Sequence, residues 1–227
     1  MSHSPTRPFD SATATRIASA FLPSFPLGNR WDYYYTRAKL GSDPLYPGVL
    51  QALRGSDAPV LDLGCGLGLL AHALRMDGQH MDHRGVDNDA DKIARAQKGL
   101  TNTRFDVVDL ANGPPTHHGS VAILDVLQYL SMEDQQQLIA NTIAMLVPGA
   151  HLVIRTALGD DTTRGRTSRV TDRLANWVGW MQFRPKCYPD ADAMRAQLAA
   201  AGLHSTFEPL YGNTPFNNWL IVASKID

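Results

Sequence analysis

Between residues 58 and 156, apolar runs of strand length alternate with segments whose apolar positions recur every three to four residues. The runs Val60 to Cys65, His83 to Asp87, Thr103 to Asp109, Val121 to Val126 and His151 to Thr156 read as strands. Leu67 to Asp77, Ala90 to Lys98 and Glu133 to Leu146 read as the helices between them, the second ending near Gly99 and the third stopped by Pro148-Gly149. This alternation predicts a mostly parallel sheet covered by helices on both faces. After Thr156 the rhythm changes. Helices are expected over Val170 to Phe183 and Asp190 to Ala201. Strands are expected at Leu203 to Glu208 and Trp219 to Ser224, joined through Tyr211-Gly212-Asn213-Thr214-Pro215 as a hairpin-like antiparallel end to the sheet. Ahead of the first strand, Ser11 to Phe25, Asn29 to Leu40 and Asp43 to Leu53 have helical spacing, and only the first ten residues read as disordered. The fold class is α/β, with a doubly wound sheet of about seven strands. Residues 1–54 form a helical N-terminal unit, and residues 55–227 the main domain, with a helical insertion around 160–185.

Composition narrows the partners. A chain of 227 residues, 44% hydrophobic and 19% charged, builds one sizeable core. Its formal net charge of -1 gives no electrostatic footprint for nucleic acid or an anionic membrane, so a small molecule is the expected partner. Two cysteines, Cys65 and Cys187, match no disulfide framework, which points to a reducing compartment. The first residues lack the apolar core of a signal peptide and no later run reaches transmembrane length. A cytoplasmic protein is expected.

The chemistry is concentrated in Val60-Leu61-Asp62-Leu63-Gly64-Cys65-Gly66-Leu67-Gly68. A strand that breaks into glycines and then a helix makes a ligand cradle, because glycine lets backbone approach a ligand closely. The embedded carboxylate changes the choice of ligand, since an acid there repels a pyrophosphate and attracts a cation. Asp62, Asp87, Asp109 and Asp125 fall at or near the ends of four successive expected strands, the edge where open α/β sheets bind ligands. Carboxylates brought together raise one another's energy unless donors or a cation compensate. A cationic ligand with several hydrogen-bond donors fits that edge. A competing frame, Gly66 to Ala71, satisfies a loose dinucleotide pattern and keeps an NAD(P)-dependent oxidoreductase among the readings. Asp87 to Lys98 imitates a calcium loop, but Lys92 and Lys98 occupy the places that need glycine and a bidentate glutamate. His117-His118 lacks neighbouring ligand spacing, so no metal site is expected.

These segments together resemble the class I S-adenosylmethionine-dependent methyltransferases. The glycine turn resembles motif I, and Gly85-Val86-Asp87 the acid that receives the ribose. Phe105 to Leu110 resembles the adenine segment, Val121 to Leu127 resembles motif IV, and Leu146 to Arg155 the turn into the fifth strand. The resemblance implies a Rossmann-like fold, S-adenosylmethionine as cofactor, and a cofactor site of Asp62, Gly64, Cys65, Gly66, Leu67, Asp87, Asn88, Asp109, Leu110 and Asp125. Within it, Asp62 would hold the ammonium end, Asp87 both ribose hydroxyls and Asp109 the adenine amino group.

The acceptor side is expected from segments outside the shared sheet. Gly28 to Leu40 sets Trp31, Tyr33, Tyr34 and Tyr35 beside Arg30 and Arg37, where lid helices stand in this family. Tyr34 or Tyr35 is expected to close over the cofactor and Arg37 to pair with a carboxylate. Tyr129 and His118 are the candidate proton acceptors, and Arg155 the candidate catalytic cation ending the fifth strand. Arg164, Arg166, Arg169, Trp177 and Trp180 suit an anionic aromatic or carrier-bound substrate. A narrower resemblance, carried by Arg30 to Tyr35 and by Arg155-Thr156, is to methyltransferases of aryl polyene and xanthomonadin-type pigment pathways. It implies O- or C-methylation of a phenolic or aryl head group. A non-catalytic cofactor-binding partner subunit is the other alternative, since no unmistakable base stands out.

Overall fold

The computed structural model describes residues 6–25, 27–100, 103–159, 186–211 and 217–225. The chain runs α1 (Ser11–Ala18), α2 (Trp31–Ser42), α3 (Leu45–Leu53), β1 (Val60–Leu63), α4 (Leu69–Met76), β2 (His83–Asp87), α5 (Ala90–Gly99), β3 (Arg104–Val107), β4 (Ser120–Leu124), α6 (Met132–Met145), β5 (His151–Ala157), α7 (Ala191–Ala200), β6 (Leu203–Pro209) and β7 (Asn218–Lys225). Short 3-10 turns sit at Ser19–Phe21, Leu110–Asn112 and Leu127–Tyr129. The expected helix at Val170 to Phe183, with Arg164, Arg166, Arg169, Trp177 and Trp180, lies outside the described residues, as does most of the connection after Tyr211.

Seven strands form one sheet in the order β3-β2-β1-β4-β5-β7-β6. The first five are parallel, and β7 lies antiparallel between β5 and β6. Strand order reverses beside β1, and there the ligand edge of such a sheet opens. Buried on both faces, the central strands read as continuous apolar runs rather than alternating ones. Val60, Ala122, Val153 and Leu220 pack on one face with α1 to α4; Leu61, Val121, Leu152 and Ile221 pack on the other with α6 and α7. Ala14, Ile17, Leu40, Leu45 and Tyr46 belong to that first cluster, so the N-terminal helices complete the main core.

Side-chain caps explain where several helices begin. Asp10, Asp89, Ser131 and Asp190 accept from the first free backbone N–H groups of α1, α5, α6 and α7. The expected first, third and fourth strands overran their C-terminal ends by two residues, where the chain continues into turns; β2 matches, and β5, β6 and β7 extend one residue further than expected at their ends. The run Val60 to Cys65 ends as a strand at Leu63 because Gly64, at φ 78°, turns the chain away.

His72 on α4 is the least comfortable member of this core. Its ring lies 5.0 Å from that of Phe21, its Nε2 has no partner among the described residues, and burial pushes its pKa down to about 4. The unfolded chain therefore binds a proton at His72 below about pH 6.5 that the folded chain refuses until about pH 4, so stability falls as pH falls through that window. The His72→Leu variant is expected to outlast the parent by about 2 kcal/mol at pH 5 and to lose that margin above pH 7, read by urea melts at both pH values.

Candidate active site

The glycine turn is held by β2. Gly64 and Cys65 donate their backbone N–H groups to the Val86 carbonyl, and Gly66 donates to a carboxylate oxygen of Asp87 at 2.9 Å. Asp87 ends β2 and accepts from Asp89 N–H with its other oxygen, which fixes the carboxylate beside the turn. The glycines differ in what they make room for. A Cβ on Gly64 would meet Val126 at 2.3 Å and one on Gly68 would meet the Phe105 ring at 2.6 Å, so both are packing positions. At Gly66, φ 54°, a Cβ would meet nothing within 4 Å, so the backbone there faces open space. Cys65 and Leu67 are buried beneath the turn, and burial and the acids Asp62 and Asp87 push the Cys65 thiol up, leaving it neutral.

Asp62 lies inside β1, 2% exposed, with one carboxylate oxygen lacking any partner among the described residues. Burial, reinforced by Asp87, raises its pKa to about 7. Asn88 is exposed beside Asp87. Asp109 stands two residues beyond the end of β3, exposed, and caps the Leu110–Asn112 turn by accepting from Ala111 N–H. These positions fit the group that the resemblance implies. The buried orphan oxygen and open space at Gly66 adjoin a fixed acceptor at Asp87, and an exposed acceptor follows β3.

Asp125 behaves differently from the other three. It follows β4 at φ 60°, in the left-handed region that aspartate tolerates better than most residues. Its N–H donates to the Arg155 carbonyl, Gln128 donates to its own carbonyl, and its carboxylate is paired with Arg155 and lies 3.4 Å from Lys39. Arg155 also donates to both oxygens of Asp43, and Lys39 donates to Asp43 at 2.7 Å. Burial pushes the Asp125 carboxyl up, but Arg155 and Lys39 outweigh it and hold the pKa below its ordinary value. Asp125 is thus an ion-pair anchor between β4, β5 and α2, and its carboxylate is already occupied.

Two of the acceptor-side candidates have surroundings that the sequence did not anticipate. Arg155, expected to be catalytic, is 3% exposed and spent on Asp43 and Asp125, which ties the strand edge to the N-terminal helices. His118 precedes β4 at the opposite, amino edge of the sheet; its neighbour His117 approaches the carbonyls of Pro59 and Ser120, where β1 and β4 start. An open depression of about 370 Å³ on that same edge is lined by Gly113 to His118, Asn141, Ala144 and Met145, away from the carboxylates. Tyr129 is at the carboxyl edge, half-buried, and burial raises its pKa, so its phenol remains protonated at neutral pH.

On α2, Tyr34 is exposed, whereas Tyr35 is half-buried against the core. Arg37 points to solvent, and Lys39 makes the ion pairs instead. Tyr46 on α3 escaped the sequence reading. It is 9% exposed, and burial, then Tyr35, Asp62, Asp125 and Asp43, raise its pKa well above the ordinary value. A neutral phenol is therefore near enough to Asp62, Asp125 and Asp43 to feel their charge. Its position within an apolar stretch of α3 is the only sequence signal it carries.

The description "Methyltransferase domain" matches residues 40–206 of the chain, and the chain belongs to this family, the class I S-adenosylmethionine-dependent methyltransferases. It is 29% identical over 121 residues to a trans-aconitate 2-methyltransferase of Variovorax paradoxus, covering 53% of this chain and 47% of that one. It is 35% identical over 152 residues to a carboxy-S-adenosyl-L-methionine synthase of Shewanella baltica, covering 60% and 63%. The alignments thus span about half to just under two thirds of these relatives. The fold matches magnesium protoporphyrin IX methyltransferase from Synechocystis with bound SAH, at a TM-score of 0.64, 16% identity, and coverage of 95% of this chain and 96% of that one.

Proposed function

We propose that this chain transfers a methyl group from S-adenosylmethionine to a small carboxylic acid, phenolic and aryl acids included. The observation that carries the reading is the crevice at the switch in strand order. Its turn N–H at Gly66 is already matched to the Asp87 carboxylate, and Asp62 is buried beside it with a free oxygen. A pyrophosphate would meet two carboxylates there, whereas an ammonium and a ribose diol would meet acceptors.

When bound, S-adenosylmethionine supplies a methyl carbon made electrophilic by its sulfonium. Asp87 would accept from the ribose hydroxyls, Asp109 from the adenine amino group and Asp62 from the ammonium, with Gly64, Gly66, Leu67, Asn88 and Leu110 shaping the walls. Tyr35 of α2 and Tyr46 of α3, packed in the core beside the acids, would border the bound cofactor, with the N-terminal helices as its lid. An ionised carboxylate needs no base to become a nucleophile, which agrees with the protonated state of Tyr129. The relative that methylates trans-aconitate supports the same class of acceptor. The narrower aryl polyene reading finds no support in the family, the relatives or the solved structure named above.

Incubation with S-adenosylmethionine labelled in its methyl group, against tricarboxylates, hydroxybenzoates and phenols lacking a carboxyl, tests the proposal. Label is expected in carboxyl-bearing acceptors, with S-adenosylhomocysteine formed in equal amount. Label appearing only in the plain phenols removes the carboxylate assignment. Tight NAD(H) binding without S-adenosylhomocysteine binding overturns the whole reading.

A further inference from the structure

His83 opens β2, in register with Val60, and its side chain lies on the sheet face that also carries Asp62. Its Nε2 stands 3.9 Å from the second carboxylate oxygen of Asp62, and it is the only basic side chain within 4 Å of that carboxylate among the described residues. Both ring nitrogens of His83 are buried without a hydrogen-bond partner, as is the other Asp62 oxygen. Three orphaned polar atoms on two adjacent strands are costly unless something satisfies them. Gly85 is in register with Asp62, and a Cβ there would meet Phe105 at 2.7 Å and Cys65 Sγ at 2.8 Å, so β2 is closely packed at that position.

We propose that Asp62 keeps its carboxyl proton while the crevice is empty of cofactor, with neutral His83 beside it, and that the cofactor's ammonium group expels that proton on binding. The proton leaves the Asp62 carboxyl for solvent, and an ammonium N–H takes its place as donor to the orphaned oxygen. His83, with Nε2 beyond hydrogen-bond reach at 3.9 Å and burial keeping it neutral, supplies no charge that would hold the carboxylate ionised. The inference rests on Asp62 as the carboxylate that meets the ammonium.

The surroundings favour the protonated Asp62 carboxyl. From β2 Asp87 adds negative charge, and from the glycine turn Cys65 contributes a neutral thiol. From α3 Tyr46 contributes a neutral phenol, and β4 presents Ala122 in register with Asp62. Burial, then Arg75 of α4, keeps His83 itself from charging until about pH 3. With Asp62 titrating at about 7, release falls in the physiological range.

Calorimetric titration with S-adenosylhomocysteine in buffers of different ionisation enthalpy counts the proton. About 0.8 proton released at pH 6.5 and under about 0.2 at pH 8 are expected, with affinity rising about tenfold per pH unit below 6 and levelling above 7.5. Heats that do not depend on buffer overturn the inference, whereas failure to bind S-adenosylhomocysteine at any pH overturns the cofactor reading beneath it. Asp62→Asn should still bind, weakly, with no proton released; release that persists in this variant also overturns it.

Discussion

Arg155→Met is expected to destabilise the fold by about 3 to 5 kcal/mol, the largest effect of any single replacement considered. The guanidinium is 3% exposed and serves two carboxylates, Asp43 at the turn after α2 and Asp125 after β4. Removing it leaves both acids with only Lys39, which lies 2.7 Å from Asp43 and 3.4 Å from Asp125. Uncompensated buried charge is costly because the interior screens poorly, while Met fills much of the same volume and keeps cavity formation out of the comparison. At about 2 to 4 °C per kcal/mol for a domain of this size, the melting temperature should fall by about 6 to 20 °C. Adding Asp43→Asn to the same variant should recover part of the loss, since one of the stranded charges is then gone. Loss of activity alone would not identify Arg155 as catalytic; an Arg155→Met protein that melts like the parent would show the ion-pair cluster to be structurally idle.

Asp87→Ala is expected to weaken S-adenosylhomocysteine binding by about 2 to 4 kcal/mol, about thirtyfold to a thousandfold in Kd. Two losses contribute. The ribose hydroxyls lose their charged acceptor, and the Gly66 N–H, donated at 2.9 Å to Asp87, loses the partner that shapes the turn. Asp87→Asn separates them, because an amide oxygen can still accept from Gly66 while the negative charge is gone. It should fall between the parent and the Ala variant in a calorimetric titration. Unchanged affinity in Asp87→Ala would remove the end of β2 from the cofactor site.

The sheet and the cofactor side were legible in the sequence because both are written in local residues. Strand and helix positions follow from apolar runs, Pro148-Gly149 and the capping aspartates, and the motif I glycines mark their own turn. Where the turn packs was not local: Gly64 owes its lack of a side chain to Val126, 62 positions downstream, and Gly68 owes it to Phe105. The four aspartates look equivalent in the sequence, each near the end of a strand. In the fold Asp62 is buried with an unpartnered oxygen, Asp87 clamps the turn, Asp109 caps an exposed 3-10 turn, and Asp125 is consumed by cations.

The sequence by itself determined the α/β sheet, the glycine turn and the order of acids that define the methyltransferase class, since each depends on neighbours a few residues apart. The tertiary structure alone decided the charge partners. Lys39 rather than Arg37 meets the strand edge, Tyr46 is buried where Asp62 and Asp125 raise its pKa, His118 falls at the amino edge, and Arg155 is committed to Asp43, 112 positions away. The physical reason is that a side chain's charge and burial are set by what packs against it in three dimensions, and those neighbours arrive from distant parts of the chain.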